Sequence, residues 1–270
     1  MSQAAVVAGG VEPDHARAGH ASDQPGSALP ATILRAGCVV FFSAIALLEI
    51  AVTLPLFSPT TRKAARAAWL HRWCRFACLV LGLRLTNEGP IPRSGLLVCN
   101  HLSYLDIIAL SSLRPCVFVA KRDVRAWPLF GWLARAGGTI FVERNRRLTA
   151  TTDLSQIRAA IESGLLVVLF PEGTSSDGAT VLPFKSSLLQ AAVSACCPIA
   201  PAGITYHMAH GSIADEVCYW RDMTLVPHLL NLFGKKSVEA TVRFSSSRPR
   251  PGDRKTLARE LRAEVAALRS

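Results

Sequence analysis

From Ala36 to Phe57 the chain is almost wholly apolar, broken only by Ser43, Glu49 and Thr53. A run like this is driven either into lipid or into a protein core. As a helix it is about 33 Å long at ~1.5 Å per residue, enough for a bilayer core of ~30 Å. Glu49 is the awkward member, because an ionised carboxylate at mid-membrane is costly. It favours a protonated side chain there or a helix lying partly in the interface. Arg62, Lys63, Arg66, Trp69, Arg72, Trp73, Arg75 and Phe76 follow, and then the apolar Ala77–Leu83. Tryptophan beside arginine suits the headgroup zone of a membrane. Residues 31–83 are therefore expected to form a two-helix membrane anchor, the competing reading being two buried core helices. Positive charge directly after the first helix places the rest of the chain on the cytoplasmic side of an inner membrane.

Composition supports a membrane element, since half of the residues are hydrophobic and mean hydropathy is +0.29. The net charge of +11 is not evenly spread. The first 34 residues hold Arg17 against Glu12, Asp14 and Asp23, so the body carries +13. A basic body suits an anionic surface: lipid headgroups, nucleic acid or acidic cofactors. Residues 1–30 have no apolar period and are expected to be a disordered tail. The eight cysteines show no paired C-x-x-C spacing and several lie in apolar runs, which reads as reduced core thiols.

Beyond residue 83 the pattern alternates. Strand-like runs fall at Gly95–Cys99, Cys116–Ala120, Thr139–Val142, Leu165–Phe170, Ile199–Tyr206 and Val238–Phe244. Helical patterns fall at Asp123–Ala136, Ala150–Ser163, Ser186–Ala195 and Asp253–Leu268. Short apolar strands alternating with helices predict an α/β domain over 84–270, with a mostly buried mixed sheet flanked by helices.

The strand Leu96–Cys99 ends in Asn100-His101-Leu102-Ser103-Tyr104-Leu105-Asp106. Strand ends in α/β domains deliver functional groups into a crevice. Ser103 is a good helix N-cap, with Asp106 three residues on. His101 and Asp106 lie about 140° apart on one helix and cannot meet on its face. With His101 in the loop and Asp106 in the first turn, an imidazole–carboxylate hydrogen bond comes within reach, which would make a general-base dyad for activating a hydroxyl. The alternative is a plain Ser103/Asp106 capping box beside an incidental histidine.

N-H-x-S-x-x-D resembles the first motif of the glycerolipid acyltransferases, the family of bacterial 1-acylglycerol-3-phosphate acyltransferase. Gly138–Arg144 is similar to the second block, Phe170-Pro171-Glu172-Gly173-Thr174 to the third, and Pro198-Ile199-Ala200-Pro201 to the fourth. Lys121, Pro128 and Gly131 fit the region between the first two blocks, and Pro183-Phe184-Lys185 the stretch after the third. The likeness covers Gly95 to Tyr206. It implies that His101 is the general base and Asp106 its partner, and that Arg144 binds the acceptor headgroup. Glu172 and Gly173, with Thr174 and Lys185 beside them, line the acceptor site, and Pro201 shapes its wall. Arginine offers a planar fork suited to phosphate, and glycine lets backbone approach a ligand. The block departs from the lysophosphatidate enzymes at Ser175, where arginine is usual. Ser175-Ser176-Asp177-Gly178 looks closer to the lyso-ornithine lipid branch.

The expected reaction is transfer of an acyl group from acyl-CoA or acyl-carrier protein to a lysolipid hydroxyl, with 1-acylglycerol-3-phosphate placed ahead of lyso-ornithine lipid as acceptor. No cofactor is expected, and membrane lipids, with acyl-carrier protein, are the partners. No metal is expected: His207, His210, Asp215 and Glu216 match no ligand spacing. A non-catalytic basic membrane-peripheral protein would keep the anchor but have no use for a His–Asp pair at a strand end. Nucleic acid is not an expected partner, because the clearest aromatic–basic mixture lies beside the hydrophobic helix and not on the soluble domain.

Overall fold

The computed structural model describes residues 28–143, 151–190, 193 and 197–270. Nearly all of the expected tail, residues 1–27, and Arg144, Arg146 and Arg147 lie outside the described residues. The chain opens with α1 (Ala28–Thr53), a short 3-10 turn and α2 (Arg62–Leu81). The domain that follows contains β1 (Leu83–Glu88), β2 (Gly95–Cys99), α3 (Leu105–Leu113), β3 (Val117–Lys121), α4 (Phe130–Ala136), β4 (Ile140–Val142), α5 (Thr151–Glu162) and β5 (Leu166–Leu169). It continues with β6 (Pro198–His207), α6 (Ile213–Glu216), α7 (Leu225–Gly234), β7 (Val238–Phe244), β8 (Arg248–Pro249) and α8 (Arg254–Arg269).

The strands form one mixed sheet in the order β1-β7-β6-β2-β5-β3-β4, with β8 paired to β6. β6 runs antiparallel to β7 and β8, and the other pairs are parallel. The central strands β2 and β5 are buried at every position, as continuous apolar runs require when both faces are covered. One face packs on α2, α3 and α7, where Cys78, Leu81, Leu105, Ala109, Leu232 and Phe233 join the core. The other packs on α5 and α8 through Ile157, Ala160, Leu257, Leu261 and Val265. The expected fold class and six strands are present. The edge strand β1 was not anticipated, because its apolar alternation ends after Leu83 and Leu85 and its remaining residues Thr86, Asn87 and Glu88 are polar.

Two helical expectations are corrected. The run Asp123–Ala136 is not one helix: a 3-10 turn covers Arg122–Ala126 and α4 starts only at Phe130. Pro128 lies at the break, since it has no N–H to give and its ring clashes with the preceding turn. Ser186–Ala195 opens as a 3-10 turn, Ser186–Leu189. The anchor also differs. Only α1 is long and apolar enough to cross a membrane among the described residues, over Leu29–Leu56. α2 carries Arg62, Lys63, Arg66, Arg72 and Arg75 and buries Ala67, Trp69, Cys74, Cys78 and Leu81 in the protein. Its apolar end packs under the sheet and runs directly into β1.

Candidate active site

The site forms where β2 ends and α3 begins. Asn100 locks this loop to β6: its amide donates to the Ile204 carbonyl at 3.0 Å and accepts from the Ile204 N–H at 2.8 Å. With the strand end pinned, His101 and Asp106 face each other, and His101 Nδ1 lies 2.8 Å from Asp106 Oδ2. The Asp106 side chain is fully buried, whereas His101 is 22% exposed. Leu102 and Ser103 donate their N–H groups to the same Oδ2, at 2.7 and 3.0 Å. Tyr206 donates its hydroxyl to Oδ1 at 2.7 Å. Burial and the neighbouring Asp106 push the Tyr206 hydroxyl well above its usual range, so it remains a donor. Since the carboxylate accepts at Nδ1, that nitrogen carries the proton and Nε2 is left to take one.

The dyad and the capping alternative prove to be partly the same structure. Asp106 reaches back to backbone N–H groups just before the helix, as the acidic member of a capping box does. Ser103 is not the cap: Tyr104 holds that position, and the buried Ser103 hydroxyl has no partner among the described residues. One carboxylate therefore fixes the loop, the helix start and the imidazole together.

Phe170 stacks on the His101 ring, with centroids 4.2 Å apart and planes 15° from parallel. Glu172, 2% exposed, bridges two loops by accepting from the N–H of His101 at 2.8 Å and of Leu182 at 2.9 Å. Burial raises its pKa against the pull of those two donors. Gly173 has φ +75°, and a Cβ there would sit 2.8 Å from Lys185 Nζ, so the lysine lies across the glycine. His101, Asp106, Glu172, Gly173 and Lys185 are thus brought to one wall. Thr174 is exposed on the same turn, next to Ser175, whose hydroxyl donates to the Tyr219 carbonyl. Pro201 is buried in β6 beside Val98 of β2, backing the strand that carries the site. Arg144 is among the residues not described.

Phe170 heads the third block but its stacking on His101 had no signal in the spacing, and Tyr206 had none at all; they meet His101 and Asp106 only through the sheet. The same holds for a buried pair beside the dyad. The Tyr104 hydroxyl lies 2.8 Å from His228 Nδ1, and His228 Nε2 lies 3.0 Å from the Cys218 carbonyl. Burial lowers the His228 pKa, so this histidine is held neutral with Tyr104 as donor. An apolar cavity of about 210 Å³ opens nearby, between α1, α2, α3, α4 and α7. Phe42, Trp73, Tyr104, Ile107, Phe118 and Phe130 are among its walls. Phe118 also stacks on Phe170 at 6.1 Å, which joins the cavity to the dyad through two rings.

The described residues contain no group of three or more His, Cys, Asp or Glu side chains placed to hold a metal ion. A family model described as Acyltransferase matches residues 82–205. The chain is 41% identical over 195 residues to the lyso-ornithine lipid O-acyltransferase of Rhizobium meliloti, a match covering 66% of each chain. It is 36% identical over 210 residues to the Brucella abortus protein of the same name, covering 72% of this chain and 79% of that one. It is 33% identical over 159 residues to the 1-acyl-sn-glycerol-3-phosphate acyltransferase of Neisseria gonorrhoeae, covering 55% and 62%. The matches thus span just under two thirds of the Rhizobium protein and less of the Neisseria one. The crystal structure of the 1-acyl-sn-glycerophosphate acyltransferase of Thermotoga maritima has the same fold, with a TM-score of 0.61 at 19% identity over 89% of this chain and 94% of that one.

Proposed function

This chain belongs to the acyltransferase family, and from that premise we propose that it is a membrane-bound lysolipid O-acyltransferase in membrane lipid synthesis. The observation that carries the reading is the buried dyad, with Asp106 held by four donors and His101 Nε2 left to act. His101 takes the proton of the lysolipid hydroxyl while its oxygen attacks the thioester carbonyl of acyl-CoA or acyl-carrier protein. The Asp106 charge stabilises the imidazolium that forms. Collapse of the tetrahedral adduct expels the thiolate, which takes the proton back from His101 and leaves an ester and a free thiol. Alkyl chain is accommodated in the apolar cavity reached past Phe170 and Phe118. α1 holds the protein at the membrane, and the cationic residues after it favour a domain on the cytoplasmic side of an inner membrane.

For the acceptor, lyso-ornithine lipid now moves ahead of lysophosphatidate. The turn where lysophosphatidate enzymes carry arginine has Ser175 instead, with its hydroxyl committed to the Tyr219 carbonyl. A zwitterionic head demands less positive charge than a phosphate, and the relatives of higher identity act on lyso-ornithine lipid by name. Lys185 beside Gly173 is the observation that favours an anionic head as the second reading. The test is an acceptor panel with the purified full chain, offered both acceptors and both thioester donors, with His101→Ala as control. Transfer to lyso-ornithine lipid at the higher kcat/KM supports the order given. A preference for lysophosphatidate reverses it, and no transfer to any lysolipid from either donor refutes the function.

A further inference from the structure

We propose that the lipid-contacting surface is not α1 alone but a platform of four helices, with Trp132 of α4 and Val226 and Leu230 of α7 seated in the bilayer beside it. The proposal rests on the membrane-bound reading above and extends it to residues on the catalytic domain.

The first observation is where the exposed large apolar side chains fall. Among the described residues they lie on α1, on the turn after it, and at four further positions. Those four are Leu79 of α2, Trp132 of α4, and Val226 and Leu230 of α7, exposed by 80%, 58%, 65% and 46%. α2, α4 and α7 are helices that pack against α1. Exposed apolar residues on a soluble surface are ordinarily scattered singly, whereas clustering around one element marks an interaction face.

The second observation is that α1 does not leave the domain. The Arg35 guanidinium donates to the Phe233 carbonyl at 3.0 Å and to that of Lys235, at the end of α7. Trp69 Nε1 donates to the Ala46 carbonyl at 3.1 Å. Glu49 accepts from Trp73 Nε1 at 2.8 Å and pairs with Arg72. From Arg35 to Glu49 is about 21 Å of helix at ~1.5 Å per residue, all of it tied to α7 and α2. Lipid can reach the outer face of α1 only if it also meets the helices fastened on either side. The exposed positions on α2, α4 and α7 belong to the helices that pack against α1.

The third observation is the border. Arg72 and Arg75 on α2, Arg125 and Arg135 around α4, and Lys236 after α7 are exposed. Long cationic side chains beside an apolar face suit anionic headgroups, with stems in the interface and charges in the water. This fits a phospholipid surface better than the apolar face of a second copy, which would bring like charges together. The same helices wall the apolar cavity, so the platform also places that cavity against the leaflet that holds the lysolipid.

The test uses the full chain and vesicles of phosphatidylethanolamine and phosphatidylglycerol. Wild type should sediment with the vesicles, and the double substitution Val226→Asn/Leu230→Gln should lower its partition coefficient about tenfold, the equivalent of about 1.4 kcal/mol. An independent readout is tryptophan emission with brominated lipid chains: Trp132→Phe should remove a distinct share of the quenched signal. Wild-type sedimentation with an unchanged partition in the double variant, and equal quenching in Trp132→Phe, would overturn the platform while leaving α1 as the anchor. A wild type that fails to sediment overturns both readings. Light scattering that shows a dimer broken by the double substitution, with vesicle binding unchanged, would assign the patch to self-association and overturn the proposal.

Discussion

Replacing Asp106 by Asn removes a charge, and the geometry of the site predicts which consequence follows. Three N–H donors converge on Oδ2, at 2.8, 2.7 and 3.0 Å, and the Tyr206 hydroxyl meets Oδ1 at 2.7 Å. Two of the three are backbone groups that cannot reverse, so the asparagine must turn its carbonyl oxygen towards them. Its amide nitrogen then faces Tyr206, whose hydroxyl can rotate from donor to acceptor. All four contacts survive in neutral form. Each weakens from about 1.5–3 to about 0.5–1.5 kcal/mol, roughly 4–6 kcal/mol over the set. Against this, the variant no longer buries an ion, a penalty of several kcal/mol in wild type. The two terms oppose each other at similar size, and the unfolding free energy should stay within about 1.5 kcal/mol of wild type. Activity behaves otherwise. The imidazolium forming on His101 loses its counter-charge, and kcat should fall by about 10²–10⁴. Tyr206→Phe does the converse: the ion stays buried with Oδ1 unpartnered, which should lower stability by about 1.5–3 kcal/mol and kcat less than tenfold. Urea unfolding and thiol release from acyl-CoA measure both quantities. An Asn variant destabilised by more than about 3 kcal/mol refutes the tyrosine reversal. One that keeps kcat within about tenfold of wild type refutes the role given to the charge.

Three further outcomes follow from the same geometry. His101→Ala should lower kcat by about 10²–10⁴ with vesicle binding unchanged, and near-normal turnover on any lysolipid would refute the general-base mechanism. Burial raises Glu172 above its ordinary value of 4.5, so its contribution to stability is full below 4.5 and is lost as pH rises through the folded value. Glu172→Gln lacks that slope, so its unfolding free energy relative to wild type should climb as pH rises above 4.5; a flat difference counts against the raised carboxyl. Gly173→Ala forces a side chain onto φ +75° and displaces the Lys185 tip. It should destabilise by about 1–2 kcal/mol and raise the KM for an anionic acceptor more than it lowers kcat, whereas an unchanged KM removes Lys185 from the acceptor site.

Local signals read well where the physics is local. β2 and β7 fall on their expected ends, because β2 is a short apolar run bounded by turn residues and β7 alternates apolar with polar residues. The His101–Asp106 pairing was legible because a five-residue spacing across a loop–helix junction leaves few ways for the two groups to meet. α2 is not a second spanning helix, and the sequence left its role open because its tryptophans and arginines suit a headgroup zone and a half-buried protein helix equally well. The choice depends on what lies opposite. Trp69 and Trp73 donate to Ala46 and Glu49 of α1, and Cys74 and Cys78 enter the protein core, so those faces of α2 meet protein, while Leu79 stays exposed.

By itself the sequence determined the alternating α/β plan, the apolar first helix, the strand-end position of the dyad and the family blocks, all properties of neighbours along the chain. Tertiary structure decided the rest. Tyr206, a hundred residues from Asp106, reaches its free oxygen because Asn100 pins β2 to β6. Phe170 covers His101 because it leaves β5, the other neighbour of β2. Glu49, costly in lipid, is satisfied by α2. A buried charge or a stacked ring depends on partners brought together by sheet order and helix packing, and chain spacing holds no record of them.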